Sequence, residues 1–252
     1  MQTLDIRRAA TRGIMQLDWL DARFSFSFGS YRDPERDSFG VLLALNEDKV
    51  KPNGGFLPHP HRDLEIFIMP LSGMVEHRDN LGNQCIVTVG DVQKMSAGTG
   101  IVHSQMNRSS QVTDHHIQIW LQPRRTGTPP SVEQRHFERA DRAGRWQLLV
   151  SPDGRGNSLP VDQDSMICVT TLKRGHSVSI NAQANRSAYV HVIRGALSIV
   201  VAGVAPEQLA GGDACALPVV PNVELQGMSD DAEVLWFDLP LVTGSSGGSS
   251  AS

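Results

Sequence analysis

Residues 55–65 read GFLPHPHRDLE, and residues 95–107 read MSAGTGIVHSQMN. The first run places His59 and His61 on either side of a proline; the second places His103 two residues before Gln105. In an extended strand, residues i and i+2 project to the same side. Each pair can therefore aim both side chains into one space. Three of the four groups are imidazoles, the donor set that divalent transition metals favour. Pro60 removes a ladder hydrogen bond and holds the segment extended, which suits a sheet rim facing a cavity.

The rest of the chain reads as β-structure. Short apolar or alternating runs occur at 41–45, 65–71, 85–89, 115–121, 188–193, 197–201 and 234–239. Turn chemistry separates them, as at Asp79-Asn80-Leu81-Gly82, Gly90-Asp91, Arg194-Gly195 and Gly212-Asp213. No long stretch carries a helical apolar stripe. Twenty-three glycines and fourteen prolines among 252 residues fit many strands joined by turns.

A faint repeat runs through these turns. Gly73 and Gly195 each follow one strand signal and precede another, and Gly90-Asp91 is echoed by Gly212-Asp213. Both intervals are 122 residues (195 − 73 and 212 − 90). The same offset carries His59, His61 and His103 onto Asn181, Gln183 and Leu225. Only the first half is thus expected to hold a metal. The expected division is 1–130 for the metal-binding half and 131–242 for the other. The Pro-, Gly- and Arg-rich stretch 124–159 reads as their connection. The Ser/Gly tail 243–252 is expected to be disordered.

Composition narrows the function classes. A formal net charge of −4 with no lysine/arginine block gives no indication of direct nucleic-acid binding. Cys85, Cys168 and Cys215 are odd in number and far apart, which fits a reducing compartment. Residues 1–13 carry no apolar leader, and no run reaches membrane-spanning length. The chain reads as cytoplasmic with no membrane partner. P-loop, G-x-S-x-G and dinucleotide fingerprints are missing.

The two histidine runs resemble the two cupin motifs: H-x-H-x3-E with a later glycine (Glu65, Gly73), then Gly90 to Asn107. MSAGTGIVHS at 95–104 is similar to the bicupin family called pirins, as are FSFSFGSYRDP at 24–34, VEHRDNLG at 75–82, QIWLQP at 118–123, Val132-Glu133-Gln134-Arg135 and LVSPDGRGNSL at 149–159. The resemblance spans about residues 15–240 and approaches bacterial pirins described as quercetin dioxygenases. It implies an all-β chain of two cupin domains packed face to face, with one divalent metal in the first. Fe(II) is the expected ion, with Ni, Co, Mn, Cu or Zn as alternatives. The implied ligands are His59, His61 and His103.

One position departs from the family. The fourth pirin ligand is the Glu of H-S-E, and here it is Gln105. A divalent ion among neutral imidazoles and an amide keeps both positive charges, whereas a carboxylate would cancel one. Lewis acidity rises, retention of the ion weakens, and a metal-bound base is lost. Such a base contributes roughly 10²–10⁴-fold, about 3–5 kcal/mol. Glu65 is the carboxylate of the first cupin motif and is carried with Gln105 as a catalytic candidate. His77 and His115 are candidates for a base or for orienting a ligand, with Gln118 and Trp120 as wall residues. The resemblance implies a flavonol-like aromatic substrate and dioxygen. The alternative is a non-catalytic, metal-dependent regulator with a protein partner; a site reduced to a vestige is the third possibility.

Overall fold

The computed structural model describes residues 4–181, 185–218 and 222–241. It is an all-β bicupin. Each half folds a seven-stranded sheet against a four-stranded one. In the first half the large sheet runs, by strand, 131–136, 91–96, 65–72, 114–121, 42–50, 20–24 and 13–16, and the small sheet runs 55–61, 101–106, 74–79 and 84–88. The second half repeats the scheme, with 186–194, 232–240 and 166–172 central in its large sheet.

The faint repeat has a backbone counterpart. Gly73 and Gly195 both turn at positive φ, 74° and 71°, and Gly90 and Gly212 do so at 96° and 88°. A Cβ at Gly73 would meet the Asp114 backbone at 2.8 Å, and one at Gly195 would meet Ala232 at 2.7 Å. These turns therefore require glycine for both conformation and space. Of the offset positions, Leu225 is fully buried in the apolar core of the second half and Asn181 is exposed; Gln183 lies outside the described residues. The tail 243–252 also lies outside them.

Strand pairing does not follow the division at 130/131. Strand Ser131–His136 pairs with Asp91–Ser96 of the first half, and strand Asp5–Arg7 pairs with Ala214–Leu217 of the second. The stretch read as a connection also supplies Gln147–Ser151 to the second large sheet. The polar residues of Ser131–His136 hid that strand, because it lies at the sheet edge and none of its side chains is fully buried.

The two large sheets face one another. Phe67, Met69, Ile117, Ile119 and Leu121 of the first pack with Tyr189, Leu235, Phe237 and Leu239 of the second in one continuous core. The alternate residues of the first sheet, Ile66, Ile68, Gln118 and Trp120, point the other way, into the first barrel. That alternation separates the inter-domain core from the interior of the first barrel.

Candidate metal centre

The first small sheet brings the imidazoles together. His103 is directly opposite His59 across paired antiparallel strands, and His61 follows two residues after His59 on the same face. One ring nitrogen from each of His59, His61 and His103 lies within 4.8 Å of the others. The ring centroids stand 4.5 Å apart for His59–His103, 4.9 Å for His59–His61 and 5.0 Å for His61–His103.

Their hydrogen bonds fix which nitrogens stay free. His59 Nδ1 donates to the Leu57 carbonyl at 2.7 Å, leaving Nε2 with its lone pair. His103 is 2% exposed, and its buried Nε2 has no protein partner. A buried polar atom without a partner costs about 1–3 kcal/mol, which a coordinated cation removes. Burial, followed by the neighbouring His59, holds the His61 imidazole down at about 4. Burial, then His59, His61 and His77, lowers His103 to about 2. Both rings are therefore neutral donors at pH 7, and the three residues fit a divalent ion.

Behind His103 runs a chain of partners that the sequence reading treated only as a histidine candidate. His77 Nδ1 lies 3.4 Å from His103 Nδ1, and His77 Nε2 lies 2.8 Å from Asp79 Oδ2. With Nε2–H of His77 donating to the carboxylate, Nδ1 of His77 accepts the Nδ1–H of His103. This turns the lone pair of His103 Nε2 toward His59 and His61. Asp79 is in turn held by the amide of Asn83 and the backbone N–H groups of Leu81 and Asn83. His77-x-Asp79 is another i,i+2 pair, the pattern that could have revealed it.

Gln105 is 3% exposed and points into the barrel, where Gln118 Nε2 donates to its Oε1 at 3.5 Å. A β-bulge between His103 and Gln105 changes the register against the His59 strand. Trp120 forms the wall, edge-on to His61 at 5.0 Å and against Phe28 at 4.8 Å. On the outer side His59 and His61 are half-buried, and Leu57, two residues before His59, is exposed.

Glu65 is not brought to the imidazoles. It shares the inward-to-the-partner face of its strand with Phe67 and lines a groove of about 290 Å3 with Lys94, Ser96, Arg124 and Asp162. Ser96 Oγ donates to its carboxylate at 2.7 Å, and burial pushes its pKa up. The strand begins at Glu65, so alternation from Ile66 sends its side chain away from the barrel. His115 is likewise elsewhere. Its Nε2 donates to Glu47 Oε1 at 2.7 Å on the inter-domain side, where Arg12 also donates to Glu47 at 2.9 Å. Burial raises the Glu47 carboxyl, but the bonds from His115 and Arg12 outweigh it and hold the group at about 2.

Deeper in the barrel, His116 sits between two carboxylates, Asp114 Oδ2 at 2.6 Å and Asp48 Oδ2 at 3.6 Å. Burial opposes its charge, yet the two acids raise it to about 10. The barrel floor is thus an ion triad of net charge −1.

Comparison with known proteins agrees with this architecture. The family model described as Pirin matches residues 6–121, and that of the quercetinase C-terminal cupin domain matches 148–239. A quercetin 2,3-dioxygenase of Escherichia coli is 38% identical over 237 residues, covering 94% of this chain and 99% of the relative. A pirin-like protein of Caulobacter vibrioides is 38% identical over 182 residues, covering 72% and 78%. The crystal structure of a bacterial pirin from Escherichia coli in complex with nickel(II) superposes with a TM-score of 0.88 at 38% identity, covering 95% of this chain and all of that one. Among the described residues no helix is long and apolar enough to cross a membrane.

Proposed function

The chain belongs to the pirin family of bicupins, and from that premise we propose that it is a metal-dependent dioxygenase of flavonol-like aromatics. His59, His61 and His103 hold one divalent ion, Fe(II) in this reading, with Gln105 Oε1 as a weak neutral fourth donor. The observation that carries the proposal is the buried, unpartnered Nε2 of His103 converging with two further, half-buried imidazoles. The bound ion would supply Lewis acidity and a meeting place for substrate and dioxygen.

The protein's own groups do the rest. Trp120 and Phe28 wall the inner side and exclude water. Leu57, exposed two residues before His59, offers apolar surface to a flat aromatic ring. Gln105 cannot accept a proton as a carboxylate would. Its carbonyl is engaged by Gln118, and its N–H groups can donate to a substrate oxygen. The flavonol hydroxyl proton therefore leaves to solvent on the half-buried side of His59 and His61. The reaction should accordingly quicken as pH rises toward the pKa of the free flavonol.

The test is flavonol consumption with quercetin under air, for wild type beside Gln105→Glu, each loaded with Fe, Ni, Co, Mn or Cu. The proposal expects turnover in the wild type, and a gain of roughly 10²–10⁴-fold if the variant restores a positioned base. No loss of flavonol absorbance with any metal in either protein would refute it. The neutral amide favours one second reading: a metal-dependent regulator that uses the same pocket without chemistry. That reading expects a protein partner captured by the metal-loaded chain and lost in His59→Ala.

A further inference from the structure

Glu233 is 1% exposed and is the focus of three guanidinium groups. Arg142 Nη1 reaches Oε1 at 2.8 Å, while Arg139 Nη1 and Arg194 Nη2 reach Oε2 at 2.9 and 2.7 Å. One carboxylate cancels one of the three charges and leaves two in surplus. All four residues line a cavity of about 40 Å3 between the domains. Its opposite wall is the Met69–Leu71 segment of the first large sheet. The other acid in the lining, Asp91, is already engaged: His136 Nδ1 donates to Oδ1 at 2.9 Å, and Thr88 and Gln134 donate to Oδ2. Counting it, the lining still carries net charge +1.

Arg142 adds a second, independent sign of a missing acceptor. It is 7% exposed, and its buried Nε–H has no partner. Glu233 takes one terminal nitrogen, and the Phe137 carbonyl lies 3.4 Å from the other. Burial, opposed by Glu233, is the largest influence on this guanidinium and lowers its pKa. A cation held in such a place with a free donor calls for an anion. Guanidinium forks match oxyanions, giving two parallel donors per group.

We propose that this cavity binds a small oxyanion of the phosphate class, free or as a phosphate monoester. Arg139 and Arg194 would turn one N–H each from Glu233 toward it, since a guanidinium has five donors. Arg139 and Arg142 come from the connecting segment, Arg194 and Glu233 from the second large sheet, and the apolar wall from the first. A bound oxyanion therefore ties the two domains and their connection together. Nothing in this site depends on the metal centre.

Calorimetric titration of the metal-loaded full chain with inorganic phosphate, at constant ionic strength in chloride, tests it. The expected result is saturable one-to-one binding in roughly the millimolar range or tighter, with a matching rise in thermal midpoint. Arg139→Gln and Arg194→Gln change half-exposed side chains and should fold normally. Each should weaken binding about tenfold or more, through loss of a charge-assisted bond. Competition by glycerol phosphate assigns the site to monoesters, and lack of competition assigns it to the free oxyanion. Failure to saturate, or unchanged binding in both arginine variants, would overturn the proposal; in the second case the anion is sitting on the metal.

Discussion

Replacing His116 by leucine should convert the barrel floor from a satisfied ion triad into two stranded carboxylates. His116 stands 2.6 Å from Asp114 and 3.6 Å from Asp48, all three nearly fully buried. At an effective dielectric of about 20, those separations correspond to gross attractions of roughly 6 and 5 kcal/mol. Desolvation of three ions offsets most of this, so the intact triad contributes little net stability. Removing the cation alone leaves the desolvation uncompensated and should cost about 3–5 kcal/mol, or roughly 6–20 °C in Tm. The wild type also carries a pH signature. His116 is held at about 10, above its unfolded value of 6.5. Between these values the folded state binds one more proton than the unfolded state. The stabilisation is complete below pH 6.5 and is lost as pH rises, by about 1.4 kcal/mol per unit. From pH 7 to 8.5 this amounts to about 2 kcal/mol, and ionisation of cysteines in the unfolded chain near pH 8.5 adds to the loss rather than masking it. Urea unfolding of metal-free protein at several pH values measures both effects. A wild-type stability flat from pH 7 to 8.5, or a His116→Leu loss under about 1 kcal/mol, would refute the reasoning.

Further outcomes follow from the same geometry. Asp79→Asn should free His77 to turn and so unfix the Nδ1–H of His103; metal affinity should fall roughly 10–100-fold, with an altered Co(II) absorption spectrum and a stability loss of about 1–3 kcal/mol from the donors left unpaired. His103→Ala removes the one buried imidazole of the three and should abolish stoichiometric metal uptake, measured by elemental analysis after dialysis. His191 lies fully buried on the inter-domain side with both ring nitrogens unpaired, and burial, then Arg12, lowers it to about 3. Its folded pKa is below its unfolded one, so stability falls as pH drops from 6.5 toward 3, by about 1.4 kcal/mol per unit. His191→Leu should make that acid limb shallower by about 1.4 kcal/mol per unit in the same urea series, the depressed His61 and His103 keeping the remainder.

The three-imidazole cluster was legible because it rests on short-range geometry. Strand alternation alone faces His59 and His61 the same way, and Pro60 keeps their segment extended. Alternation would equally have exposed His77-x-Asp79 and Asp114-x-His116, had carboxylates been read as partners of imidazoles as well as ligands. The strand Leu42–Val50 was seen only to residue 45, because Asn46-Glu47-Asp48-Lys49 looks like a turn. Its acids are tolerated because each meets a cation from a distant strand: Asp48 faces His116 inside the barrel, and Glu47 meets Arg12 and His115 outside it. Glu65 shows the opposite failure. Motif spacing placed it with the ligands, but Glu65 shares the parity of Phe67, which register with the neighbouring strands turns toward the partner domain.

By itself, then, the sequence determined the β-class, the doubled cupin plan, the three imidazoles of one pocket and the amide that takes a carboxylate's place. These follow from local conformational rules and from motifs a few residues long. Only the tertiary structure decided which face of each strand meets the partner domain, which acid neutralises which cation, and which buried atoms are left without a partner. Those outcomes depend on register between strands tens or hundreds of residues apart, where a shift of one residue would exchange the side chains of the barrel interior with those facing the partner domain.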